Sequence, residues 1–245
     1  NPTATYTGSV TLTGTATTGT SAAISIPAGS TGCTITEGTI PTAPSFYSWG
    51  APTYTQPPAT LPASGTSTGA ISNPLTQNAP NITVAKTFTS AVGANPAVYQ
   101  ITVTNAGGAG SYSLTDTPLF GSGITTGTPS CQSAQNTATC PTVAANLTGA
   151  APYTLAAAGT AIAGGASHTY TVTVPYTVTN AATQTAGSAL CPASAPTTSV
   201  GGLNNATTVT PNSGNASTVN VCRDVTPNAP NITVAKTFTS AVGAN

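Results

Sequence analysis

The sequence predicts an all-β protein: two β-sandwiches in tandem, residues 1–77 and 78–225, followed by a C-terminal strand extension, residues 226–245. Three observations predict it. Segments rich in Val, Ile, Thr and Tyr alternate apolar and polar side chains with a period of two, the signature of a half-buried strand. Gly, Pro, Ser and Asn punctuate these segments at short intervals, as turns between antiparallel strands require. Finally, the segment NAPNITVAKTFTSAVGAN, residues 78–95, recurs letter for letter as residues 228–245.

The repeat organises the rest of the chain. The first copy runs on through Pro96-Ala97-Val98-Tyr99-Gln100-Ile101, which reads as a second strand. The opening residues Asn1-Pro2-Thr3-Ala4-Thr5-Tyr6 are similar to that continuation. The C-terminal stretch thus reads as an opening strand without its domain, and residues 1–77 as a domain without its opening strand. The expectation is a building block of a polymer, in which the end of one unit completes the beginning of the next. The chain contains no Met and opens on no basic leader, so it is expected to be a processed product or a window on something longer.

In residues 1–77, Tyr6, Val10 and Leu12 share a face, and Ile24 and Ile26 follow before a turn at Pro27-Ala28-Gly29. Cys33, Ile35 and Glu37 are in phase and predict a strand over residues 33–37. A Pro-rich loop carries Phe46, Tyr47 and Trp49, and the last strand is expected near residues 70–75. In residues 78–225, Ile82, Val84, Lys86 and Phe88 alternate on one face. Further strands are predicted over residues 98–105, 113–118, 167–174, 205–209 and 217–221. The Ala/Gly run over residues 156–166 is too weakly apolar and too broken by Gly to cross a membrane.

Charged residues make up 2% of the chain, three basic and three acidic, where about a quarter is usual. This offers no electrostatic footprint for nucleic acid, and no membrane insertion is expected. Of the five cysteines, Cys131 and Cys140 flank a short polar loop, and Cys191 and Cys222 a long one. Those are the expected disulfides, with Cys33 left over to be buried or to pair between subunits. Paired cysteines point to an oxidising, extracytoplasmic compartment. No zinc spacing is present, and no cofactor is expected. With one histidine and three carboxylates, no nucleophile–base set can be assembled. His168 reads as a strand-edge or solvent residue, and the protein is not expected to be an enzyme.

Two resemblances add to this reading. The stretch IPAGSTGCTITEGTIPTAPSFYSW, residues 26–49, resembles the middle of the collagen-adhesin B-type, prealbumin-like domains of bacterial surface proteins. That family normally opens with a Lys-bearing strand, which is missing here. The series YQITVTN, LTDTP, SHTYTVTV and NATTV, residues 99–105, 114–118, 167–174 and 205–209, resembles the tandem surface repeat known as domain of unknown function eleven. That resemblance implies an immunoglobulin-like β-sandwich used in long bacterial and archaeal surface proteins.

The charges are the candidate chemistry. Lys86, Asp116 and Glu37 fall on apparent core faces, and Lys236 repeats Lys86. A buried unpaired charge costs several kcal/mol, so such groups must pair, escape to an edge or react. The reactive option is an intramolecular isopeptide bond, a Lys amine joined to an Asn side chain beside a protonated acid. The collagen-adhesin resemblance implies it, with Glu37 as the acid. The candidate sets are Lys86, Asp116 and Asn205 in the second domain, and Glu37 and Asn73 in the first, with Lys236 supplied by a neighbour. The alternatives are a hydrogen-bonded ion pair and a lysine that snorkels to the rim. Arg223 and Asp224 read as a solvated linker pair. Asn-x-Ser/Thr sequons at Asn81, Asn146, Asn205, Asn215 and Asn231 are candidate glycan sites.

Two functions are expected of such a chain. The first is a structural subunit of an extracellular or cell-surface filament or stalk, whose partners are copies of itself. Residues 228–245 would fill a neighbour's 1–77 domain, anchored by Ile232, Val234 and Phe238, or the repeats would run on as one giant chain. The second is an adhesin gripping a glycan or surface protein through Phe46, Tyr47, Trp49 and Tyr54.

Overall fold

The computed structural model describes residues 19–27, 30–62, 66–91, 93–179, 190–191, 201–225 and 234–237. Among them there is no helix. The chain divides into two units, Asn1–Thr76 and Gln77–Asn245. The strand expected around Tyr6, Val10 and Leu12 lies outside the described residues, as do Ile232, Phe238 and Asn231.

In the first unit the strands are short. β1 (Tyr47–Trp49) pairs with β4 (Leu75–Gln77), whose last residue crosses the unit boundary, and β2 (Thr53–Thr55) pairs with β3 (Ala70–Ser72). Pro74 stands between β3 and β4 and divides the strand expected there, because proline donates nothing to a ladder. Ile24 and Ile26 lie outside any strand. The strand predicted over residues 33–37 is not formed either, although Cys33, Ile35 and Glu37 keep their alternation and are half-buried. Among the described residues no backbone strand pairs with it. The Gln56 side chain takes the place of a neighbouring strand, accepting from Ile35 N (2.7 Å) and donating to Ile35 O (3.1 Å). None of the described residues of this unit is fully buried.

The second unit is built from two sheets. One has five strands in the order β10 (Ala145–Asn146), β9 (Ser130–Ser133), β12 (Ser167–Val174), β6 (Ala97–Asn105) and β5 (Ile82–Phe88). The other has four, in the order β11 (Tyr153–Ile162), β7 (Gly110–Pro118), β14 (Asn205–Pro211) and β15 (Ser217–Val221). The pairings are antiparallel throughout both. A ribbon of β8 (Ile124–Thr126) and β13 (Tyr176–Val178) flanks them.

Alternation decides which side chains meet. Tyr99, Ile101 and Val103 of β6 and Tyr170, Val172 and Val174 of β12 form one core cluster with Tyr112 and Leu114 of β7, Leu155 of β11 and Val209 of β14. The two sheets therefore share a core, as in the β-sandwich class. Each fully buried aliphatic side chain contributes about 1.5–3 kcal/mol. The tyrosines reach into this core and still satisfy their hydroxyls. Tyr99 Oη donates to Leu203 O (2.9 Å), and Tyr112 Oη sits 2.7 Å from both His168 Nδ1 and Tyr170 Oη. Disulfides join Cys131 to Cys140 and Cys191 to Cys222, the expected pairs. Cys33 is half-buried and unpaired.

At the end of β6, Asn105 is a fully buried knot between turns. Its Oδ1 accepts from Asn81 N (3.0 Å) and Gly107 N (3.1 Å), and its Nδ2 donates to Gly108 O (2.7 Å) and Ala163 O (3.2 Å). Gly107 and Gly108 have no room for a Cβ, which would strike the backbone carbonyls of Ala79 and Asn78. Asn105→Ala orphans several of these groups at about 1–3 kcal/mol each, so a loss of about 3 kcal/mol or more is expected. Urea denaturation followed by circular dichroism would show it as a lowered midpoint with an unchanged slope.

Candidate functional site

The alternation of β5 brings Ile82, Val84, Lys86 and Phe88 to its inner side. That of β7 brings Tyr112, Leu114 and Asp116 inward, each fully buried. On β14, Asn205, Thr207 and Val209 share the inner face, with Thr207 directly opposite Asp116. These three strands, one from the five-stranded sheet and two from the other, place a charged cluster inside an apolar core.

Lys86 Nζ lies 2.5 Å from Asp116 Oδ1, and both side chains are fully shielded from solvent. The ammonium also donates to Thr207 Oγ1 (2.8 Å) and stands 5.0 Å from the Tyr99 ring centroid. Thr207 Oγ1 in turn donates to Asp116 Oδ1 (2.6 Å). The second carboxylate oxygen, Oδ2, accepts from Asn205 Nδ2 (2.9 Å). Asn205 Oδ1 is buried without a partner. Burial pushes the Lys86 ammonium below the usual lysine range, and the adjacent Asp116 carboxylate only partly restores it. The sequence-predicted set of Lys86, Asp116 and Asn205 is thus assembled around one carboxylate.

This arrangement holds the three groups of a transamidation. Desolvation favours the neutral amine of Lys86, the form that can attack a carbonyl carbon, over its ammonium. A half-turn of the Asn205 carboxamide exchanges its oxygen and nitrogen. That turn would bring Oδ1, in place of Nδ2, to Asp116.

Thr207 was not among the sequence candidates. Its place two residues after Asn205, in phase with Val209, was the signal that could have found it. It fixes Lys86 and Asp116 together through one hydroxyl.

In the first unit the structure brings Glu37 and Asn73 together: Asn73 Nδ2 donates to Glu37 Oε1. Asn73 Oδ1 is buried without a partner, as Asn205 Oδ1 is. Lys236 and Val234 lie outside any strand and are exposed, Val234 at 87%.

Other candidates are corrected. Asn205 is fully buried, so a glycan cannot be carried there by the folded chain; Asn81, Asn146 and Asn215 are exposed. Of the expected solvated pair, Asp224 is exposed, whereas Arg223 is half-buried. The Arg223 guanidinium lies 4.4 Å from the Phe88 ring centroid and donates to Ser90 O (3.1 Å). Asp224 Oδ1 accepts from Cys191 N (2.6 Å). His168 lies at the start of β12, beyond its pairing with β9, half-buried against Tyr112, and burial lowers its pKa. Of the aromatic loop, Tyr47 and Tyr54 are exposed, whereas Trp49 is half-buried and donates its indole N–H to Pro41 O (2.8 Å).

No family model, curated protein or solved structure matches this chain.

Proposed function

We propose that the protein is a structural subunit of an extracellular filament or stalk, made of β-sandwich units strung end to end. The observation that carries this is the contrast between its two units. The second has its Lys-bearing β5 and a fully buried core. The first has no buried residue among those described, and its Tyr47, Tyr54, Ile71 and Leu75 are exposed. A sandwich lacking a strand leaves an unpaired edge and an apolar slot. A letter-for-letter copy of the β5 segment, residues 228–245, supplies a strand of the right pattern. On this reading both units are immunoglobulin-like or prealbumin-like sandwiches, and a neighbouring copy completes the first.

Two disulfides suit an oxidising location outside the cell. The transamidation geometry suits a subunit that must resist unfolding. The adhesin reading is the weaker one, because Trp49 spends its only polar group on its own loop.

Electron microscopy of the purified full chain is expected to show fibres. A denaturing gel then separates the two modes of joining. One continuous repeat chain stays large, whereas strand-exchanged subunits fall to single chains unless cross-linked. Isolated compact particles at high protein concentration would overturn the proposal.

A further inference from the structure

We infer that Glu37 and Asn73 are half of a covalent joint between copies, and that Lys236 of a second copy is the other half. This rests on the filament reading and adds a bond to it. The argument is a comparison within the chain. In the second unit an acid, an asparagine and a lysine converge. Asp116 accepts from Asn205 Nδ2, Asn205 Oδ1 is left orphaned, and Lys86 stands 2.5 Å from the acid. In the first unit the same acid–asparagine contact recurs. Asn73 Nδ2 donates to Glu37 Oε1, and Asn73 Oδ1 is orphaned and buried. Among the described residues only one other buried side-chain oxygen lacks a partner, that of Gln135. The orphaned carboxamide therefore marks both places, and only the amine is missing from the first.

The chain has three cations from which to supply it. Lys86 is committed to Asp116. Arg223 is committed to Ser90 O and the Phe88 ring, and a guanidinium is no nucleophile at ordinary pH. Lys236 remains, exposed, in the copy of the segment that carries Lys86. In the second unit the lysine strand precedes its acid and its asparagine. The copy follows the second unit, so the order lysine, acid, asparagine is restored for Glu37 and Asn73 when the copy enters another molecule's first unit. Such head-to-tail contacts propagate without closing. Ile232, Val234 and Phe238, in phase with Lys236, are the apolar side chains that would cover the exposed Tyr54, Ile71 and Leu75.

The step balances without a co-reactant. After a half-turn of the Asn73 carboxamide, Glu37, protonated by the entering Lys236 ammonium, donates to Asn73 Oδ1. The neutral Lys236 Nζ attacks Asn73 Cγ and a C–N bond forms. The bond from Cγ to Nδ2 breaks, the amine proton passes through the Glu37 carboxylate to the departing nitrogen, and ammonia leaves.

Two full-length variants test this by complementation. Lys236→Arg offers an amide without an amine and is produced with heavy isotopes. Asn73→Ala offers an amine without an amide and is left unlabelled. Each alone is expected to run as single chains on a denaturing gel. Mixed, they should give a band of two chains containing a heavy–light Lys236–Asn73 peptide lighter by one ammonia. Glu37→Gln in the acceptor chain should slow its appearance at least tenfold. Fibres of the unsubstituted chain that fall to single chains, with no such peptide, would overturn the bond and leave the filament reading standing. A Lys236–Asn73 peptide found within single chains would overturn the joint between copies. Neither fibres nor peptide would overturn both.

Discussion

Asp116→Ala is expected to destabilise the second unit by about 3–5 kcal/mol, the cost of leaving a buried charge without its partner. Lys86 loses its counter-ion, Thr207 one acceptor and Asn205 the only partner of its amide. If the Lys86–Asn205 bond forms, the variant loses that too. It should be heavier by one ammonia than the substitution alone implies, and it forgoes the chain-entropy constraint, about 4–5 kcal/mol for a closed loop on the order of 100 residues. The double variant Lys86→Met, Asp116→Leu separates the two contributions. A well-packed apolar pair commonly replaces a buried ion pair without loss, so it should recover the ionic part and none of the covalent part. Thermal unfolding and intact mass, measured together, decide. An Asp116→Ala chain as stable as the parent would show that the cluster carries no load.

The pH dependence of an uncross-linked chain follows from the same burial. Folding holds the Lys86 pKa below its ordinary 10.5, so between the two values the unfolded chain binds more protons than the folded one. Stability therefore rises with pH through that window and levels off above it. Removing Asp116 takes away the group that raises the Lys86 pKa, so the window should widen downward.

A chain ending at Val225 is expected to stay monomeric, with its first unit poorly protected. Addition of a synthetic peptide of residues 228–245 should restore that unit. The single tryptophan makes the effect visible, since Trp49 is half-buried and lies in β1 of the first unit. Binding of the peptide should shift its emission to shorter wavelength and slow amide exchange there. A peptide with Ile232, Val234 and Phe238 all changed to Ser should do neither. A truncated chain that still forms fibres would refute strand donation by this segment.

Much of this was legible in the sequence. Period-two patterning located β5, β6, β7 and β12, because each buries one face against a shared core. It also placed Lys86 and Asp116 inward. Other features escape a one-dimensional pattern. β11 reads YTLAAAGTAI, and its alanines and glycine carry little strand preference; packing against β7, with two shifts of register, makes it a strand. Residues 33–37 have the pattern of a strand, but among the described residues no backbone strand lies beside them and Gln56 stands in. Arg223 looks solvated until the chain brings Phe88 and Ser90 to it. Asn205 carries a sequon, but its phase with Val209 turns its side chain inward, and a sequon pattern takes no account of that phase.

The position of Lys86 also matters under tension. The chain enters the second unit through β5, at the edge of one sheet, and leaves after β15, at the edge of the other. A pull along a fibre would slide these two margins past each other, and resistance to pulling is set by the rate of opening. The proposed Lys86–Asn205 bond would tie β5 to β14 and so bridge the entry and exit paths. Traction would pass across it, and the intervening polypeptide would carry almost none.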